Sequence, residues 1–116
     1  MTDDALRLAI YTGENVPDGW TRGHWRGSTE PHIGRYWPPT GPEHRNLRRS
    51  GQVEVQPDGW VRIMLQDGPR QHNRAVRRAS VVDAMAFATG IMDRWHSGAI
   101  STEAANVAIG PRWEAP

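Results

Sequence analysis

Two turn signals divide residues 52–77 into three short segments of β-strand character. Polar and apolar side chains alternate before the first turn, and a run rich in β-branched and other apolar residues follows it. The first turn, Pro57–Gly59, joins a proline that presets φ, an aspartate that accepts local hydrogen bonds and a glycine that tolerates positive φ. The second turn, Asp67–Gly68, is a strong hairpin signal before a third, more polar run. The sequence therefore predicts a three-stranded antiparallel meander over 52–77 with Gly59 at positive φ.

Two helices are predicted after the meander. Ser80 followed three residues later by Asp83 has the form of a capping box, and the apolar spacing after it predicts a helix over 81–96. A second capping serine and a Gly-Pro stop predict a shorter helix over 102–109. We expect the long helix to pack on the meander, against Trp60 and Ile63 or their neighbours, through one apolar face formed by Val81, Met85, Ala88, Met92 and Trp95.

The N-terminal part is less regular in sequence. Partial alternation of apolar residues predicts a first strand over 5–12. Residues 13–42 are rich in Gly, Pro and aromatic residues and predict an ordered but irregular segment, with a short strand near His32–Trp37. The predicted fold class is α+β: a small antiparallel sheet, made of the meander and one or two N-terminal strands, packed against the two helices. Residues 1–116 are expected to form a single domain.

Composition excludes several classes of protein. The absence of cysteine removes disulfides and cysteine-based zinc sites. There is no run of about 18 apolar residues, and the N-terminus is acidic where a secretory signal would be basic, so a protein of the cytoplasm without a membrane span is expected. The basic residues are all arginine. This bias fits a GC-rich bacterial or phage gene, and it also fits recognition of phosphate or carboxylate groups by guanidinium.

No catalytic or metal-binding motif is present. The five histidines lack the helical i, i+4 spacing around a carboxylate and the short spacing of zinc fingers. The sequence also lacks a nucleophile-elbow motif and a paired-carboxylate signature. We therefore expect a protein without enzymatic activity, metal or cofactor.

Arginine is concentrated in the middle of the chain. Residues 22–78 hold eleven arginines against five acidic residues, a net charge of +6, whereas the segments on either side are net acidic. In a meander, alternate residues share a face, so these side chains can converge on a basic sheet face suited to phosphates. The other interpretation is a solvated face that is salt-bridged to the acidic ends. The candidate nucleic-acid-binding residues are Arg45, Arg48, Arg49, Arg62, Arg70, Arg74, Arg77 and Arg78.

Two functional hypotheses follow. The predicted order of three strands and then a packed helix, over about Gln52–Trp95, resembles sheet-type DNA-binding modules such as the integrase arm-binding and AP2-like domains. The first hypothesis comes from the basic, aromatic-bearing sheet itself: a small protein that binds nucleic acid through its arginine-rich sheet face. The alternative is a protein-binding factor, for example a phage-encoded inhibitor or assembly accessory, that docks through arginine and through Trp25 and Trp37 as aromatic anchors. The net charge of only +1 favours the alternative, and the charge segregation favours nucleic acid.

Overall fold

The computed structural model describes residues 1–24, 30–40 and 48–110. Five strands form one antiparallel sheet in the order β1–β2–β3–β4–β5, so every strand pairs with its neighbours in sequence. The predicted α+β class is therefore confirmed. In chain order the elements are α1 (Asp3–Thr12), β1 (Thr21–His24), β2 (Pro31–Trp37), β3 (Arg49–Val55), β4 (Trp60–Asp67), β5 (Arg70–Arg77), α2 (Val81–His96) and α3 (Thr102–Ile109).

The meander predicted over 52–77 is confirmed as strands β3, β4 and β5. Gly59 in the first turn has a φ of +89°, as the turn pattern predicts, and a side chain there would meet the carbonyl oxygen of Arg78. At the second turn Asp67 pairs directly with Arg70, so Gly68 and Pro69 form a two-residue hairpin loop. This loop length fixes which residues of β5 lie on each face of the sheet.

The strand predicted over 5–12 is wrong, because this segment is the helix α1. Leu6, Ala9 and Ile10 are buried at helical spacing, whereas Leu8, which suggested alternation, is 63% exposed. The signals that decide the structure lie at the helix ends. The hydroxyl of Thr2 accepts a hydrogen bond from the amide of Ala5, and Gly13 closes the helix with a φ of +77°.

Residues 13–42 are more regular than expected. The short strand predicted near His32–Trp37 is confirmed as β2, and β1 pairs with it in register from Thr21 opposite Gly34 to His24 opposite Pro31. These two strands form the N-terminal part of the sheet, on the opposite side of β3 from β4 and β5. Trp25 lies outside the described residues.

Both C-terminal helices have the predicted bounds. The hydroxyl of Ser80 accepts from the amide of Asp83, and that of Ser101 accepts from the amide of Ala104, each at 3.0 Å, so both predicted caps are formed. Thr102 connects helix α3 to α2 and β4. Its hydroxyl accepts a hydrogen bond from the indole of Trp95 at 2.9 Å and donates one to Asp67. Among the described residues, no helix is long and apolar enough to cross a membrane.

The helices lie on one side of the sheet, and the hydrophobic core fills the space between. Helix α2 packs on β3 and β4, and α1 packs on β2 and α2. Gly51 of β3 sits under Met92 and Trp95 of α2. The core residues contributed by the sheet are Ile33, Trp37, Val53, Val55, Val61, Ile63 and Leu65.

Candidate functional site

The second face of the sheet is covered by no described helix, and we call it the open face. In the strand register its residues alternate with the core residues, so they point away from α1 and α2. Charged, amide and aromatic side chains share this surface, and none of its residues belongs to the hydrophobic core cluster. The open face is formed by Thr21, Gly23, His32, Gly34, Tyr36, Ser50, Gln52, Glu54, Trp60, Arg62, Met64, Gln66, Gln71, Asn73, Ala75 and Arg77.

Cross-strand pairing places the polar groups of the open face in rows. Arg62 lies between Glu54 of β3 and Ala75 of β5. Arg77 of β5 lies opposite Trp60. Both arginines are exposed. A further row crosses β2 to β5 and carries a phenol, an amide, a thioether and a second amide, in the order Tyr36, Gln52, Met64 and Asn73.

The candidate arginines do not converge on one face as expected. Arg62 and Arg77 lie on the open face, whereas the register puts Arg70 and Arg74 on the helix side of the edge strand β5. Arg48 is exposed just before β3. The two-residue loop between β4 and β5 decides this division, because a shift of one residue would exchange the faces. Arg45 lies outside the described residues.

Two of the candidate arginines stabilise the fold instead. The guanidinium of Arg49 lies 5.4 Å from the centre of the Trp95 ring and donates to the carbonyl oxygens of Trp95 and Ile100, the latter at 2.8 Å. It therefore satisfies one carbonyl at the end of α2 and one in the loop that follows it. Arg78 binds Asp83 through two hydrogen bonds of 2.9 and 3.3 Å. Its guanidinium also lies 4.2 Å from the centre of the Phe87 ring.

Among the described tryptophans, Trp95 and Trp20 agree with expectation, whereas Trp60 and Trp37 do not. Trp95 is fully buried and Trp20 packs against the core. Trp60 is half-buried, but the register puts it on the open face, so α2 packs over Ile63 without it. Trp37, expected as a partner-binding anchor, is only 5% exposed, and its indole donates to Asp93 at 3.0 Å. Its ring is therefore part of the core and is not accessible to a partner.

Glu54 is the one acidic residue of the open face. It accepts a hydrogen bond from Gln52 at 2.9 Å through Oε1, while Oε2 is buried and has no hydrogen-bond partner among the described residues. Burial raises the pKa of this carboxyl, and the charge of the neighbouring Arg62 acts in the opposite direction. The carboxylate is thus held in an environment that partly disfavours its charge.

Sequence reasoning missed Tyr36 as a functional candidate. Its side chain is 59% exposed on the open face, beside an open cleft of about 410 Å³ that Thr21, Gly34 and Gln52 also line. The alternation of Ile33 and Trp37 with Tyr36 could have identified it, since residues of odd and even number in a strand face opposite sides. The cleft depends on how β1 pairs with β2, which the sequence did not predict.

Charge in the described elements is divided between the two layers. The five strands hold seven arginines and two acidic residues, a net charge of +5. The three helices hold two arginines and five acidic residues, a net charge of −3.

No group of three or more potential metal-ligating residues occurs in the described part of the chain. No protein-family model, curated protein or solved structure matches this chain.

Proposed function

We propose that this chain is a small nucleic-acid-binding protein that uses the open face of its sheet, and that it acts by binding without catalysis. The observation that carries the proposal is an open sheet face with exposed Arg62, Arg77 and Tyr36 and half-buried Trp60. Arginine supplies contacts to phosphates, and aromatic rings supply surfaces on which bases stack. The amides of Gln52 and Asn73 add groups that can hydrogen-bond to base edges.

The charge of the open face comes from few residues. Arg62 and Arg77 stand against Glu54, a net charge of +1, because the other five strand arginines lie on the helix side of the sheet. Arg70 and Arg74 lie on the edge strand β5 with Arg77, where they extend the basic surface around the edge of the open face. Arg49 and Arg78 are engaged within the fold, so they are removed from the proposed interface.

The protein-docking alternative has weaker support. Of its two tryptophan anchors, Trp37 has its ring buried in the core, and Trp25 lies outside the described residues. A central, accessible aromatic residue is what gives such an interface most of its energy. The aromatic residues of the open face are Tyr36 and Trp60. Exposed arginines lie on the same face, and they suit contacts with a phosphate backbone.

A salt titration with charge-matched variants tests the proposal. The double variant Arg62→Ala/Arg77→Ala removes two positive charges from the open face. The control, Arg7→Ala/Arg94→Ala, removes two exposed arginines from α1 and α2. Binding of labelled oligonucleotides is measured by fluorescence anisotropy from about 50 mM salt upward, a range in which counterion release dominates the salt dependence.

The open-face double variant should weaken binding and lower the log–log salt slope by roughly 0.7 per lost contact on a single strand, or roughly 0.9 on a duplex. The control should keep the slope of the parent protein. Equal losses in the two double variants would show that only net charge matters. No detectable binding at about 50 mM salt would reject a nucleic-acid function.

A further inference from the structure

The cleft beside Tyr36 differs in character from the rest of the open face. Its volume is about 410 Å³, and it lies over β1, β2 and the adjoining part of β3. Clefts of this size are typical of sites for small ligands or for single groups of a larger ligand. The exposed arginines Arg62 and Arg77 lie on β4 and β5, outside its lining. The open face thus has an arginine half and a cleft half.

Two glycines line the cleft, and the side chain of His32 covers one of them. Gly23 of β1 and Gly34 of the adjacent strand β2 lie on the open face, where any other residue would place a side chain. The imidazole of His32 occupies part of the space above Gly23, since a Cβ on that glycine would lie 3.1 Å from its Nε2. A Cβ on Gly34 would lie 3.3 Å from the carbonyl oxygen of Val53. Bare backbone in a strand lets a flat ring approach closely.

Two arginines line the cleft, Arg22 and Arg35, and both guanidinium groups make contacts within the fold. Arg22 is directed at the end of α1, where its guanidinium donates to the carbonyl oxygens of Ile10 and Tyr11 at 2.7 and 3.0 Å. The guanidinium of Arg35 lies 4.6 Å from the centre of the Trp37 ring. Glu54 borders the cleft, since its Cγ would lie 3.7 Å from a Cβ on Gly34. Arg22 and Arg35 are half-buried, whereas Arg62 and Arg77 are exposed, so the phosphates of a bound strand are assigned to the exposed pair.

The neutral groups of the cleft suit a nucleobase. The ring of Tyr36 stands at its rim, 59% exposed, and offers a face for stacking. Gln52 lies opposite Tyr36 on β3, and Thr21 adds a hydroxyl, so polar groups are available for the edges of a base. By strand spacing and rise, Tyr36 lies on the order of 12 Å from Arg62, a distance that a short stretch of nucleic acid strand can cover.

We propose that this cleft binds one unpaired base of a single-stranded nucleic acid, stacked on Tyr36, while the phosphates of the same strand contact Arg62 and Arg77. The inference rests on the proposed function and specifies the class of nucleic acid. A base within a duplex is paired and stacked between its neighbours, so it enters such a cleft only after it is extruded. The protein therefore prefers single strands to duplexes.

The test uses the full chain and four fluorescein-labelled probes in anisotropy titrations. The probes are strands of about 12 nucleotides, within the range of known single-strand site sizes: oligo-deoxythymidine, oligo-uridine, a mixed-sequence DNA strand and its duplex. The variants are Tyr36→Ala, Tyr36→Phe and Tyr11→Ala. Tyr11 is 53% exposed on α1, so its loss removes a comparable exposed ring from the helix side.

The mixed-sequence strand should bind more tightly than its duplex. Tyr36→Ala should weaken single-strand binding about fivefold or more, the effect expected when one stacked base loses its aromatic partner. Tyr36→Phe should retain the affinity because it keeps the ring, and Tyr11→Ala should bind like the parent. A difference between the deoxythymidine and uridine strands would reflect the 2′-hydroxyl or the 5-methyl group, and Tyr36→Ala should weaken the binding of both.

Two results would overturn the inference, and they differ from failure of the proposed function. Equal affinity of Tyr36→Ala and the parent, with binding still lost in Arg62→Ala/Arg77→Ala, would leave the open face as the interface but remove the base from the cleft. Tighter binding of the duplex would also reject it. Failure of all four probes to bind would reject the proposed function itself. Circular dichroism of each variant checks that the fold is intact.

Discussion

Replacement of Gly51 by alanine should destabilise the fold, although the added group is a single methyl. Gly51 lies on β3 between Trp37 of β2 and Leu65 of β4, on the side of the sheet that faces α2. A Cβ at this position would lie 2.7 Å from the carbonyl oxygen of Met64 and 3.4 Å from Cζ3 of Trp95, and it would also meet the terminal methyl of Met92. Glycine is what allows α2 to approach the sheet so closely.

The magnitude follows from which neighbours can move. The terminal methyl of Met92 can rotate away at small cost, because methionine is flexible. The carbonyl of Met64 belongs to the β3–β4 ladder at the centre of the sheet, so relief of that contact requires a backbone shift. Insertion of extra methyl groups into packed cores typically costs about 1–3 kcal/mol. Since one of the contacts is with backbone, we expect about 2–3 kcal/mol, in the upper part of that range.

Urea denaturation followed by tryptophan fluorescence measures the change, because Trp95 lies at the altered contact. Gly90→Ala is the matched control. Gly90 is exposed in α2 and an added Cβ there meets nothing within 4 Å, so this variant should gain about 0.5–1 kcal/mol from helix propensity. A parent-like midpoint for Gly51→Ala, with an unchanged dependence on urea, would refute the close packing of α2 on β3.

Two further predictions concern the first turn and the open face. Gly59→Val should cost more than Gly98→Val in thermal unfolding, since both glycines have positive φ but only the Cβ at 59 would meet backbone, the carbonyl of Arg78; equal losses would contradict this. Glu54→Gln should stabilise the fold at neutral pH. Burial raises the pKa of Glu54 in the folded state, so its ionisation removes stability as pH rises from 4.5 through that raised pKa. The advantage of the glutamine variant should disappear below pH 4.5 in urea titrations, and an advantage independent of pH would contradict the burial argument.

The sequence was most informative where local chemistry determines structure. The turn residues of the meander and the capping serines Ser80 and Ser101 act on neighbours within a few residues, and the strands and helices that they delimit were predicted correctly. The strand prediction for segment 5–12 was wrong because Leu6, Leu8 and Ile10 fit alternation, whereas the buried residues Leu6, Ala9 and Ile10 fit helical spacing. The Thr2 cap and the Gly13 stop at the two ends of α1 distinguish these possibilities.

The candidate site was harder to predict because it depends on register and tertiary contacts. The outward position of Arg62 follows from the apolar residues that flank it in β4. By contrast, the contacts of Arg49 with the end of α2 join residues about fifty positions apart, and local sequence carries no sign of them. The cleft at Gly34 and Tyr36 likewise requires the pairing of β1 with β2.

The central claim is that nucleic acid binds to the open face of the sheet. A titration of isotopically labelled protein with a short single-stranded oligonucleotide, followed by two-dimensional NMR, tests it directly by locating the perturbed amides. If the open face binds nucleic acid, the largest shifts should occur at Tyr36, Arg62 and Arg77 and at the side-chain amides of Gln52 and Asn73, while the exposed surface of α1 is unperturbed. Shifts concentrated on α1 and α3 would contradict binding at the open face. The absence of shifts at concentrations well above the usual dissociation constants of non-specific binding would contradict it as well.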